Sequence, residues 1–195
     1  MSMSSSVDEL VSALASGDSD TVNDLIDRLS SLDVEAQAEH FEAWFSESVE
    51  LFDRSDNGYV RQAVVRAVQE LMPGMVAAYK AIDDGVQTDL TVDGVKDRLE
   101  MGCKFLLRAI QDEDGRVRRS AQRALKDGFR AYDTLEDNER LSSIRDELQR
   151  IASEVDSERR SDIDEAISDV EFFLRSDEAR FIGALSRLAK QVDER

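Results

Sequence analysis

The segment DNGYVRQAVVRAV (56–68) returns 57 residues later as EDGRVRRSAQRAL (113–125). Gly58 matches Gly115, Val60-Arg61 matches Val117-Arg118, Arg66 matches Arg123 and Ala67 matches Ala124. Such a repeat constrains the fold strongly. Each copy is one supersecondary unit that buries its apolar face only by packing on a neighbour.

The chain around the copies reads with a helical period. Ser6 and Glu9 form a capping box ahead of the stripe Val7, Leu10, Val11 and Leu14, and Gly17-Asp18 ends that helix. Val22, Leu25, Ile26 and Leu29 make the next stripe. A long helix carries Val34, Ala38, Phe41, Phe45, Val49 and Phe52. After the first turn come Val60, Val64, Ala67, Val68 and Leu71, with an end expected at Pro73-Gly74 and a short helix from Met75 to Ile82. Residues 83–94 have no period and many turn residues, so they form the longest loop. Stripes continue through Val95, Leu99, Cys103, Leu106 and Ile110, then Val117, Ala121, Ala124, Leu125 and Phe129. Three more follow: Leu141 to Val155, Ile163 to Leu174, and Phe181 to Val192. No strand is expected. The reading is all-α, about nine or ten helices, with short connections that make neighbours antiparallel.

The turn of the first copy raises one alternative. Asp53, Ser55, Asn57 and Gly58 occupy positions 1, 3, 5 and 6 of an EF-hand calcium loop. That loop requires a bidentate carboxylate at position 12, where this chain has Val64, and Arg61 stands at position 9. The second copy has Ile110 and Ala121 at the two ends. A motif that drops both end ligands and keeps Val-Arg and Ala is a structural turn.

DEDGRVRRSAQRAL (112–125) resembles the second-helix signature of HEAT repeats, through Asp112, Asp114, Val117, Arg118, Ala121, Ala124 and Leu125. In the first copy Ser55 and Asn57 replace the acids and Val68 replaces the leucine. The resemblance implies a short α-solenoid of antiparallel helix pairs, in one helical-repeat domain over 1–195. Two repeats would occupy 34–130, with N-terminal capping helices at 1–33 and C-terminal capping helices at 138–195. It also implies that Arg61, Asp112, Asp114 and Arg118 are structural: the turn acids cap helices, and the arginines pair with turn acids from repeat to repeat.

Forty-three acidic residues face 25 basic ones, for a formal charge of −18, and only five of the cations are lysines. A disordered acidic chain would lack aliphatics, whereas 41% of this one is hydrophobic. A folded, Asp-rich, Lys-poor chain resembles the cytosolic proteins of salt-in halophiles, whose carboxylate surfaces stay hydrated while salt screens their repulsion. No apolar run approaches a membrane span. MSMSSSVDEL lacks the basic region and apolar core of a signal peptide, so a cytoplasmic protein without a membrane partner is expected.

Chemistry is sparse. Cys103 is the single cysteine and His40 the single histidine, which removes disulfides and Cys/His metal sets. His40, beside Phe41 and Trp44, reads as half-buried on an apolar face, and Cys103 as a small buried hydrophobe. The acidic pairs Asp18/Asp20 and Asp162/Asp164 read as caps at helix starts. No phosphate loop or nucleophile–base set is present, so no catalytic residue, metal or cofactor is assigned and the expectation is a non-enzymatic protein.

One surface stands out. Arg116, Arg119, Arg123, Lys126 and Arg130 lie at offsets 0, 3, 7, 10 and 14, within a band about 80° wide. The first copy has Tyr59, Gln62, Arg66, Gln69 and Pro73 at the same offsets, so the repeat does not require the stripe. It is either neutralised by neighbouring acidic helices or a docking face for an anionic partner. A protein partner is favoured, which makes the chain a scaffold or adaptor. A nucleic acid is the alternative, disfavoured by salt and by the repulsion of an acidic surface.

Overall fold

The structure is a computed structural model that describes residues 7–86 and 90–193, apart from the side chains of 34, 35, 38–40 and 176–193. The described residues form eight α-helices and no strand: α1 (Val7–Ala15), α2 (Ser19–Ser30), α3 (Val34–Arg54), α4 (Gly58–Asp83), α5 (Val92–Ala109), α6 (Gly115–Thr134), α7 (Asn138–Glu154) and α8 (Ser157–Asp193). None of them is long and apolar enough to cross a membrane.

The helix starts follow from side chains that accept the orphan first-turn N–H groups. Asp18 accepts from the Thr21 N–H, Asp33 from Ala36 and Asn57 from Tyr59. Thr91 accepts from Gly94, Asp114 from Arg116 and Asp137 from Arg140. Gly17, at φ +67°, ends α1 in the left-handed region.

Helices adjacent in the chain pack on one another, as α4 does on α5, and they can be taken two by two. α1 meets α2, α3 meets α4, α5 meets α6 and α7 meets α8. The second helix of each pair also touches that of the next, along α2, α4, α6 and α8, while α1 touches α3 and α3 touches α5. α4 therefore lies at the centre, in contact with α1, α2, α3, α5 and α6. The stripes read from the sequence fill the interior. Val95, Leu99, Cys103, Leu106 and Ile110 are fully buried, as are Val117, Ala121, Ala124, Leu125 and Phe129. On α3, Phe45 and Phe52 set their rings edge-on to Phe105 of α5. Cys103 is buried as expected, and burial pushes its thiol up to about 12, which leaves it protonated and unreactive at neutral pH.

Three expectations are corrected. Pro73-Gly74 does not end a helix: α4 runs through both residues to Asp83. A helix-interior proline costs about 3 kcal/mol. Met72 and Met75 lie on either side of it and are fully buried. Each gains about 1.5–3 kcal/mol from burial, so packing outweighs the break. Likewise α8 is one helix across 176–180, where a boundary was expected, since no Gly or Pro interrupts that stretch. These two mergers leave eight helices among the described residues in place of nine or ten. Asp162 and Asp164 lie inside α8, which starts at Ser157, so they are not caps. Asp162 pairs with Arg118, and Asp164 with Arg160. The Ser6 cap, the His40 side chain and the stripe from Phe181 to Val192 lie outside the described residues and side chains.

Candidate functional site

The two matched arginines occupy the joints between helix pairs. Arg61, 8% exposed, donates from Nε and Nη2 to the two carboxylate oxygens of Asp112 at 2.8 and 2.9 Å. Its Nη1 donates to the Ser55 carbonyl at 2.9 Å. Arg118 repeats the pattern one pair later. Its Nε donates to Asp162 at 3.0 Å and its Nη1 to the Asp112 carbonyl at 3.0 Å. In both copies the guanidinium thus holds the carbonyl six residues back, in its own turn, and a carboxylate of the next pair. The planar fork of arginine suits both tasks at once.

The turn acids do complementary work. Asp112 also accepts from the Asp114 N–H at 2.8 Å. Asp114 caps α6 and holds the Arg116 side chain at 2.7 Å, and that hydrogen bond draws its carboxyl down to about 2. Gly58, first residue of α4, permits the joint: a Cβ there would lie inside the Asp114 carboxylate. Arg61, Asp112, Asp114 and Arg118 therefore come together where the starts of α4, α6 and α8 adjoin.

The stripe lies on the outward side of α6, and all five of its cations are exposed. Three have carboxylate partners. Arg116 holds Asp114, Lys126 holds Asp169 of α8 at 2.6 Å, and Arg130 holds Asp127 at 2.7 Å. Pairs this exposed contribute about 0–1 kcal/mol each. Arg119 and Arg123 have no ion-pair or hydrogen-bond partner among the described residues. The structure thus divides the stripe into a neutralised part and an open centre.

Sequence reasoning did not single out the glutamines that stitch the row together. Gln62 donates to Ser120 at 3.3 Å and Gln69 to Asp127 at 2.7 Å, both from α4 to α6. Gln122 donates to Asp169 at 2.8 Å, from α6 to α8. Arg66, the counterpart of Arg123, donates to Asn23 of α2 at 3.0 Å. The available signal was Gln62 and Gln69 themselves: two neutral amides seven residues apart on one helix face, in a chain otherwise rich in charge. Beside them, burial and the neighbouring Asp127 carboxylate push the Glu70 carboxyl above its ordinary value, with Arg66 opposing.

Two cavities adjoin these helices. A groove of about 360 Å³ between α4 and α6 is lined by Met72, Pro73, Val76, Ala77, Lys80, Asp127, Arg130, Ala131 and Thr134. A wider cleft of about 830 Å³ lies between α5 and α7, where Leu107 and Ile144 are flanked by charged side chains such as Lys104, Arg108, Arg140 and Glu147. Its cations are engaged: Lys104 and Arg140 share Glu100, and Arg108 holds Asp53. No group of three or more His, Cys, Asp or Glu side chains suited to a metal occurs among the described residues.

Comparison of the chain with protein-family models, with curated proteins and with solved structures finds no match.

Proposed function

We propose that this chain is a non-enzymatic scaffold or adaptor, a short HEAT-like solenoid that offers the outward face of α6 to a protein partner in a salt-rich cytoplasm. The observation that carries the reading is the pair Arg119 and Arg123. They are exposed and without partners among the described residues, in a chain where 43 acids compete for 25 cations. Arg28, Arg54, Lys80 and Lys96 also lack an ion pair among the described residues, but only Arg119 and Arg123 lie one turn apart on a single exposed face, within a stripe of five cations. The order of helix contacts along α2, α4, α6 and α8, and the repeated arginine joints, support the solenoid reading. Guanidinium forks make directional bonds to carboxylates, which persist in salt better than bare Coulomb attraction does.

The test is capture of partners from the native host in molar KCl, with wild-type protein and with Arg119→Glu/Arg123→Glu. The reading predicts that the double reversal loses the partner while its thermal melt stays close to wild type. Retention of every partner removes the site. Duplex DNA shifted by wild type, but not by the reversed variant, in the same salt would replace the protein partner with a nucleic acid. Melts across KCl concentration test the salt-rich setting: carboxylate repulsion predicts that Tm rises steadily into molar salt, and a flat profile contradicts it.

A further inference from the structure

The groove between α4 and α6 lies on the same face as Arg119 and Arg123. Pro73 and Arg130, the last members of the two matched stripes, stand on its opposite walls. We propose that this groove is the apolar half of the docking surface, and that the face takes an acidic amphipathic segment of a protein partner. The segment would seat one bulky apolar side chain in the groove and lay carboxylates along Arg123 and Arg119. The proposal rests on the functional reading above and extends it to the chemistry of the partner.

The lining sets what the groove accepts. Met72 and Ala131 are buried at its floor, Val76 and Ala77 are half-buried, and Pro73 is exposed at the edge. At about 360 Å³ it is near the lower end of ligand-sized pockets, with room for one large side chain but not for a whole ligand of extended length. Apolar walls give nothing to a phosphate backbone. The rim is cationic on balance. Asp127 is already held by Gln69 and Arg130, whereas Lys80 is exposed and has no ion pair among the described residues. Against a chain of −18, a groove whose open charge is positive selects an anionic partner.

The spacing sets the rest. Arg123 and Arg119 precede Arg130 by seven and eleven residues of one helix. At a rise of about 1.5 Å per residue they stand roughly 10 and 16 Å from the groove. A partner helix matches this face with an apolar anchor and acidic residues two and three turns away, all on one side. The α4/α6 seam itself is closed by Gln62–Ser120 and Gln69–Asp127, so the partner lies across the seam without having to open it.

The experiment is selection of a random peptide library against the full chain in molar KCl. Enriched peptides are then synthesised with a fluorescent label and measured by anisotropy. The proposal predicts enriched peptides with one bulky apolar residue and acids at the stated spacing. It also predicts about a tenfold or greater loss of affinity in each of three cases. These are the peptide with its apolar anchor replaced by Ala, the protein carrying Ala77→Glu, and the protein carrying Arg119→Glu/Arg123→Glu. The peptide substitution leaves the protein intact, so a folding defect in Ala77→Glu does not decide the result. If the anchor and Ala77→Glu have no effect while the double reversal abolishes binding, the groove is excluded and the arginine face stands. If none of the three matters, both fall. Failure to enrich any binding peptide, or displacement of bound peptide by short RNA or anionic lipid vesicles, overturns the proposal.

Discussion

In α4 the outward positions hold neighbouring helices. Gln62 and Gln69 donate to α6, Arg66 donates to α2, and Pro73 walls a groove. In α6 the matched positions are Arg119, Lys126, Arg123 and Arg130, and among the described residues only Lys126 of these reaches another helix, through Asp169 of α8. Both copies keep an inward apolar face and an arginine joint, although Val65 is matched by Gln122 and the Arg118 joint is wetter than that of Arg61, and the outward stripe differs most in charge. One row of neutral donors suffices to close a helix seam. At the α4/α6 seam that row comes from α4, and at the α6/α8 seam Gln122 serves beside Lys126. Arg119 and Arg123 are surplus to both seams. An exposed pair of cations that neither seam uses is where a partner is best sought.

The largest expected effect separates the two joints. Arg61 and Asp112 are both nearly buried, with side chains 9% and 8% exposed. Breaking a buried pair from one side costs about 3–5 kcal/mol, so Arg61→Ala is expected to lower Tm by roughly 10 °C in a chain of this size. Arg118 and Asp162 are wetter, at 12% and 17%. Losing a charged hydrogen bond there costs about 1.5–3 kcal/mol, and Arg118→Ala should lower Tm by roughly half as much. Equal losses in paired thermal melts would show the joints to be equivalent.

Next come the matched glycines. Gly58→Ala sets a methyl group into the Asp114 carboxylate and forces the α4 and α6 starts apart, for about 1–3 kcal/mol. At Gly115 the nearest atom to an added Cβ is Arg118 Nη2, at 3.3 Å, the far end of a side chain that shifts. Gly115→Ala should stay within about 1 kcal/mol of wild type, because the gain from restricting the unfolded chain opposes that shift. Urea titrations of both variants measure the contrast directly.

The smallest effects depend on pH. Asp114 has its carboxyl drawn from an ordinary 3.8 to about 2, so its contribution is complete above pH 3.8 and is lost as pH falls toward about 2. Glu70 runs the other way. Its carboxyl is raised, so it favours folding below its ordinary 4.5, and that contribution is lost as pH rises through the raised value. Glu70→Gln should therefore raise Tm by about 1–2 °C at neutral pH, with the gain vanishing below about pH 4.5. Melts at neutral pH and at pH 4 resolve this, and a loss at neutral pH would mean that the Arg66 attraction dominates.

The two matched segments and the apolar stripes were legible because each depends on local spacing. Val60, Val64, Ala67 and Val68 share one face at any helix length, whereas the carboxylates held by the arginines at its edge are distant in sequence: Asp112 is 51 residues from Arg61, and Arg118 reaches Asp162 inside α8 rather than a turn acid. The helix count was not legible. Whether Pro73 ends α4 depends on Met72 and Met75 finding burial, and that is decided by α3, α5 and α6 rather than by residues 69–76. The state of the stripe was illegible for the same reason. Asp127 lies four residues after Arg123 and three before Arg130, within reach of either in sequence, but in the structure it is held by Arg130 and by Gln69 of α4, and no carboxylate among the described residues reaches Arg123. The Asp169 that holds Lys126 comes from α8, 43 residues away in sequence.

Arg118 and Arg119 are neighbours in sequence with opposite assignments, and a matched pair of alanine variants tests the account most directly. Arg118 bridges Asp162 and two carbonyls of its own turn, whereas Arg119 is exposed on the open face. Thermal melts of Arg118→Ala and Arg119→Ala, in the same molar KCl, should differ: the first is expected to lose several degrees, and the second to stay within about 2 °C of wild type. Equal losses, or a larger loss for Arg119→Ala, would contradict the division between a joint that holds the helix pairs together and a face left open for a partner.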